Sequence, residues 1–355
     1  MLALLQLLPL TAPFKEQQRA LTQQHDASLS GAGQLLDRGV TQHEQDGSSR
    51  PLYYFTHIPK AAGASFLQDL GGSAINMTLC DGGTKAACFP SMEKASDGIH
   101  PVPTLEEALA AKAAEWQQGE CQVIGCEGAR VDNENIVDLA LQAQGAAVPR
   151  SSIRELMLLR EPVDHVVSMF AMCVANSPSY ADDNSDTMAN ATIEMWLDAY
   201  ESGDRQTAGR LCYYQPNNLQ TASLVKLEES AADSAKLEAS VAFVNEEAYF
   251  VGVVERYSLS ICLFGSMVHG LGALPLGCTC ARAEQLAAAG KTVEPIVRDE
   301  TDETHGTVPV EPSDQARASI NRLTSLDAKL YQAAVSRFER DVRASGLGCW
   351  LDLAE

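Results

Sequence analysis

Two stretches of this chain are built on the same pattern. "YYFTHIPKAAGASFL" and "LMLLREPVDHVVSMF" each pass from an apolar, β-prone run through a short turn into helical spacing. That order predicts a strand, a tight turn and a helix. The apolar runs "CQVIGCE" at 121–127 and "AYFVGVVE" at 248–255 predict two more strands, also followed by helical patterns. Strands that alternate with helices predict an α/β fold, with a central parallel sheet flanked by helices in three layers.

The remaining elements follow from capping and spacing. The first strand covers 52–58 and its helix starts near Ala64. "TLEEALAAKAAEWQQ" at 104–118 opens with a Thr cap and a Glu three residues on, a helix start. Further helices are expected at 132–144, 191–202, 217–238 and 258–269. Pro162 occupies a first-turn position, and that helix continues through "VDHVVSMFAMCVA". Residues 71–103, 176–190 and 272–312 are Gly-, Cys-, Pro- or Asn-rich and read as loops, and 313–345 read as one long or two short helices.

Residues 1–50 form a lead and 51–355 a single domain. The opening "MLALLQLLPLTAP" is apolar for about ten residues, far short of the roughly 20 a membrane span needs. It reads either as a signal-peptide core or truncated membrane anchor, or as a disordered terminus. Residues 14–50 are polar and lack periodicity, which predicts a flexible stem.

Ten cysteines, an even number, predict disulfides and a secretory compartment. Cys80 and Cys88 make a plausible local loop, whereas Cys278 and Cys280 stand too close to pair with each other. No CxxC pair supports a zinc site. Asn76-Met-Thr and Asn190-Ala-Thr are glycosylation sequons. The net charge of −21 disfavours a nucleic-acid surface, which needs a basic stripe.

The turn at 59–65 has the chemistry of an anion site. A strand running into a helix directs the free N–H groups of the first turn outward, where the helix dipole favours negative charge. The small residues Ala62, Gly63 and Ala64 let backbone approach a phosphate. Lys60 adds a point charge and Ser65 a hydroxyl. This is P-loop-like physics without the nucleotide-hydrolase motif GxxxxGK[ST]. About 100 residues on, Arg160 ends the second strand, and its planar fork suits a phosphate. Ser168 lies about two turns into the helix that follows. The bland alternatives are a solvated lysine, and an arginine held by Glu161.

Together "HIPKAAGASF" and "LLREPVDHVVSMF" resemble the paired signature of sulfotransferases that use 3′-phosphoadenosine 5′-phosphosulfate. The similarity is to the Golgi carbohydrate enzymes of the heparan-sulfate 2-O and 6-O type, whose motifs read approximately "PKTGGTSF" and "LRDPVERVLSxY". "FVGVVERYSLSICLF", "NNLQTASL" and "LDAKLYQAAVSRFERDV" resemble later segments of that family, so the likeness spans roughly 52–342. The resemblance implies that Lys60, Ala62, Gly63, Ala64, Ser65 and Phe66 hold the 5′-phosphosulfate. It also implies that Arg160 and Ser168 hold the 3′-phosphate, and that no metal takes part. Ala61, Ala62 and Ala64 stand where the family has Thr, Gly and Thr, and Asp164-His165 replaces Glu-Arg.

The implied reaction moves a sulfuryl group to a hydroxyl of a glycan or small metabolite in the Golgi or secretory pathway. Lys60 would meet the breaking bond. The 2-O enzymes carry a histidine base between the two motifs. The corresponding "CQVIGCEGAR" has none, which leaves Glu127 as first candidate base and His57 as second. His165 is expected near the 3′-phosphate, and His305 ranks low. With 26 Lys and Arg against 47 Asp and Glu, a neutral or weakly charged acceptor is expected. "CYYQPNN" at 212–218 offers aromatic rings that suit a sugar or adenine as well as a core. The alternatives are a P-loop kinase, which would need a magnesium-binding carboxylate at a strand end, and a catalytically silent glycan-binding protein on the same scaffold.

Overall fold

A computed structural model describes residues 51–72, 75–79, 122–127, 153–175, 191–225, 231–295 and 310–354, with backbone alone at 126 and 127. The chain divides into two units, Met1–Ser48 and Ser49–Glu355, and every described residue belongs to the second. The helices expected at 104–118 and 132–144, the loop at 176–190, Cys80, Cys88, Asn190 and His305 lie outside the described residues.

Four parallel strands form the sheet: β1 (Leu52–His57), β2 (Val123–Glu127), β3 (Ile153–Leu159) and β4 (Phe250–Val253), in the order β2-β1-β3-β4. All four expected strands are present. Helix α1 (Gly63–Gly71) follows β1, and α2 (Pro162–Ala175) follows β3. Then come α3 (Ile193–Glu201), α4 (Arg205–Leu211), α5 (Leu219–Leu224) and α6 (Asp233–Ala242). Beyond β4 lie α7 (Tyr257–His269), α8 (Cys280–Ala288), α9 (Asp314–Leu323), α10 (Ser325–Ala344) and α11 (Cys349–Asp352).

Side-chain alternation along the strands builds two cores. Leu156 and Leu158 of β3 join Tyr53, Phe55 and Phe250 against Phe66 of α1 and Phe264 of α7. Met157, Leu159 and Val251 point the other way, onto Leu224 of α5, Phe243 and Leu330. Helices therefore cover both sheet faces, which is why the strands read as almost unbroken apolar runs. Helix α10 serves both faces, with Leu330 and Ala334 in one core and Phe338 and Val342 in the other. A third cluster, centred on Trp196, joins α2, α3, α4 and α9.

Two helical expectations change, and a third, left open between one helix and two, is decided. The helix expected over 217–238 is two helices, because Val225 is extended (φ −130°, ψ 141°) and ends α5. The loop expected over 272–312 contains α8. Only Ala283 and Leu286 of that helix are buried, too few to write a period into the sequence. Between 313 and 345 there are two helices, broken at Thr324, whose hydroxyl donates to the Ile320 carbonyl at 2.8 Å.

Among the described residues three disulfides brace the helices: Cys173–Cys212, Cys262–Cys278 and Cys280–Cys349. Cys278 and Cys280 each take a distant partner, as their spacing requires. Disulfides of this kind place the chain in a secretory or extracellular environment. Among the described residues no helix is long and apolar enough to cross a membrane.

Candidate functional site

The sheet order locates a crevice. The chain leaves β1 for β2 on one side and leaves β3 for β4 on the other, so the carboxyl ends of β1 and β3 diverge at a switch point. Open α/β sheets bind ligands there. Lys60 follows β1 and Arg160 follows β3, and these strands are paired neighbours, with Thr56 beside Met157. The structure thus brings together the two segments that sequence placed 100 residues apart.

Two contacts tie their loops. The Arg160 guanidinium donates from Nη1 to the Lys60 carbonyl at 3.2 Å. His165, fully buried on the first turn of α2, donates from Nε2 to the Pro59 carbonyl at 2.7 Å. A carbonyl only accepts, so the proton sits on Nε2 and Nδ1 is a bare lone pair. That Nδ1 and the Arg160 Nε are buried without hydrogen-bond partners. Leaving such atoms unsatisfied costs about 1–3 kcal/mol each. At Arg160 the orphan is a cationic donor, which fits a phosphate oxygen.

The lysine turn is held in an unusual conformation. Lys60 (φ 64°) and Ala62 (φ 55°) are both left-handed, a region that disfavours side chains with a Cβ. Helix α1 starts without a side-chain cap and without an acidic residue in its first turn. The Gly63 and Ala64 amides therefore lack the acceptors that helix starts usually recruit. Gly63 is buried and Ala64 exposed, so that end of the helix opens to solvent. Phe66 is core, stacked on Phe250 and tilted against Phe55, and shapes the helix without reaching its mouth.

Gly63 has a further reason to lack a side chain. A Cβ there would stand 1.9 Å from Cδ2 of His57 and 2.2 Å from its Nε2. The His57 ring stacks on Phe55 at 5.7 Å and fills the space into which a Gly63 side chain would project. Burial, then the charge of Lys60, pull the His57 pKa down to about 4. His165 also falls to about 4, through burial first and then the charges of Arg160 and Lys60. Both imidazoles are neutral at pH 7. An acceptor of such low basicity is a weak general base. The Cα of His57 pairs with that of Glu127, so the two candidate bases end adjacent strands at the same edge.

A second layer pins Arg160. Its N–H donates to Gln220 Oε1 at 2.9 Å, and Gln220 Nε2 donates back to its carbonyl at 2.8 Å. Gln220 lies in the first turn of α5, and the cap of that turn is Asp327 from α10. Asp327 accepts from the Gln220 N–H at 3.2 Å, and from the Thr221 N–H and hydroxyl at 2.7 Å each. Asn218 reciprocates, accepting from the Leu326 N–H at 2.8 Å. Burial raises Asp327 to about 6, while its donors pull the other way. Sequence reasoning noticed "NNLQTASL" and "LDAKLYQ" separately; the only hint of their union was polar residues inside otherwise apolar helices.

Glu161 does not hold Arg160. Its Oε2 accepts from the Asp164 N–H at 2.9 Å and caps α2, and its own N–H donates to Glu255 Oε1 at 2.8 Å. Ser168 is half-buried one turn beyond His165 on the same helix face, farther from the crevice than Arg160. Tyr213 is half exposed, its ring 4.3 Å from that of Tyr214, on the segment leading into α5. Among the described residues no cluster of His, Cys, Asp or Glu is arranged for a metal ion. No protein-family description, curated protein or solved structure matches the chain.

Proposed function

We propose that this chain is a sulfotransferase of the Golgi carbohydrate type with a P-loop-like fold. It would transfer a sulfuryl group from 3′-phosphoadenosine 5′-phosphosulfate to a hydroxyl of a glycan or small metabolite. The observation that carries the proposal is the junction of the two motifs at the switch point, where Arg160 Nη1 meets the Lys60 carbonyl while Arg160 Nε stays unsatisfied. Two phosphate-binding devices on neighbouring strand ends suit a donor with two separate phosphate positions.

In this reading the Gly63 and Ala64 amides and Ser65 receive the 5′-phosphate, and Arg160 receives the 3′-phosphate with Ser168 behind it. Lys60 neutralises the oxygen that keeps the electron pair when the sulfur–oxygen bond breaks. This is charge stabilisation with positioning, the main resource in group transfer of this kind. The acceptor hydroxyl forms the new bond to sulfur and gives its proton to a base at the β1–β2 edge. Glu127 is first for that role, because His57 is weakly basic and packed against Gly63.

Calorimetric titration with 3′,5′-bisphosphoadenosine tests the donor site, and an acceptor screen with labelled donor tests the reaction. Micromolar binding is expected, with Arg160→Ala weakening it and Lys60→Ala cutting turnover by orders of magnitude in a folded protein. No binding of either nucleotide would sink the proposal. Binding without turnover on any acceptor would leave the silent glycan-binding scaffold. An unchanged pH–rate profile in Glu127→Gln would move the base to His57.

A further inference from the structure

The sequon Asn76-Met77-Thr78 lies outside the site and takes no part in it. It sits in a short segment beside the start of β2, the outer strand in the order β2-β1-β3-β4. The backbone there is fixed on several sides. The Asn76 N–H donates to the Gly72 carbonyl and the Met77 N–H to the Leu70 carbonyl, each at 2.8 Å. The Thr78 carbonyl accepts from the Gln122 N–H at 2.7 Å. His269 Nε2 donates to the Ile75 carbonyl at 2.8 Å.

Side chains alternate along this pinned segment. Ile75 and Met77 are buried at 2% and 3% exposure, while Asn76 and Thr78 are exposed. The carboxamide and the hydroxyl of the sequon therefore share the outward face, and the middle residue anchors them. Asn76 is left-handed at φ 56°, a corner conformation that asparagine tolerates and that projects its side chain from the surface. The disulfides independently place the chain where N-glycans are added.

We infer that Asn76 is an N-glycosylation site of the mature protein. Its carboxamide nitrogen forms a bond to the anomeric carbon of an oligosaccharide carried on a lipid pyrophosphate. The bond from that carbon to the pyrophosphate oxygen breaks, the pyrophosphate keeps the electron pair, and the nitrogen gives up one proton. The inference is independent of the proposed activity.

The test is a peptide map of the chain secreted from a eukaryotic host, before and after an amidase that removes N-glycans. The Asn76 peptide is expected to carry one oligosaccharide, and the amidase should leave an aspartate at that position. Asn76→Asp, which keeps a residue tolerant of φ 56°, and Thr78→Ala should each lose that oligosaccharide, while Thr78→Ser keeps it. A wild-type map with Asn76 unmodified overturns the inference, and because the wild-type map decides, poor folding of a variant does not obscure the result.

Discussion

Gly63→Ala separates a steric role of that glycine from its role in the helix. Gly63 has no left-handed φ, and alanine at a helix position normally gains about 0.5–1 kcal/mol over glycine. The added Cβ, however, meets His57 Cδ2 at 1.9 Å, and the ring sits between that point and Phe55. Overpacking of this kind costs about 1–3 kcal/mol. The single substitution should therefore destabilise by about 1–2 kcal/mol. In a His57→Ala background the obstruction is gone, and the same change should stabilise by about 0.5–1 kcal/mol. The sign reversal is the prediction, and a double-mutant cycle should give a coupling of about 1.5–3 kcal/mol. Urea unfolding of the four proteins with unchanged slope supplies the energies. If Gly63→Ala destabilises equally in both backgrounds, His57 is not what excludes the side chain and the packing argument fails.

Ala62→Gly should stabilise by about 0.5–1 kcal/mol, since relief of a left-handed alanine, about 1–2 kcal/mol, exceeds the flexibility glycine adds to the unfolded chain. Loss of stability in urea would contradict the strained turn. Asp327→Asn turns an amide toward the Gln220 N–H; it should cost about 1–3 kcal/mol and weaken nucleotide binding through Arg160. Unchanged binding would sever that link. His165 binds its proton more weakly folded than unfolded, so its contribution is lost as pH falls from 6.5 to about 4, by about 3 kcal/mol. Asp327 has the opposite sign: its raised pKa costs stability as pH rises from 3.8 to about 6. His57, also lowered to about 4, adds a second loss of like size, so wild type should lose stability on the acid side, and in His165→Gln, which can still donate to Pro59, the opposing changes at His57 and Asp327 should leave a shallower acid limb. Matching pH profiles for the two proteins would refute this.

The strands and first helices were legible because their signals are local. Tyr53 to Ile58 and Leu156 to Leu159 are dense apolar runs, each closed by a turn and a helix start. The split after Leu224 was not legible, since Val225 is as apolar as its neighbours and only its dihedrals mark the break. Helix α8 escaped because disulfides at Cys278 and Cys280, rather than a wide apolar stripe, anchor its start. At the site, the small residues announced a close approach. Whether the approaching object was a phosphate or an imidazole depends on the side-chain direction of His57, which no spacing reveals. The clasp of Gln220 and Asp327 spans 107 residues and leaves no periodic trace.

That clasp has a consequence in time. Arg160 is synthesised 167 residues before Asp327 (327 − 160). At about 5–20 residues per second, the arginine waits roughly 10 to 30 s for the carboxylate that fixes its holder. For much of that interval β3 lacks β4, and throughout it the face later covered by Leu330 and Ala334 is bare. The crevice between β1 and β3 is therefore among the last parts of this domain to be assembled, and a nascent chain halted before α10 would carry both motifs yet lack the carboxylate that fixes Gln220.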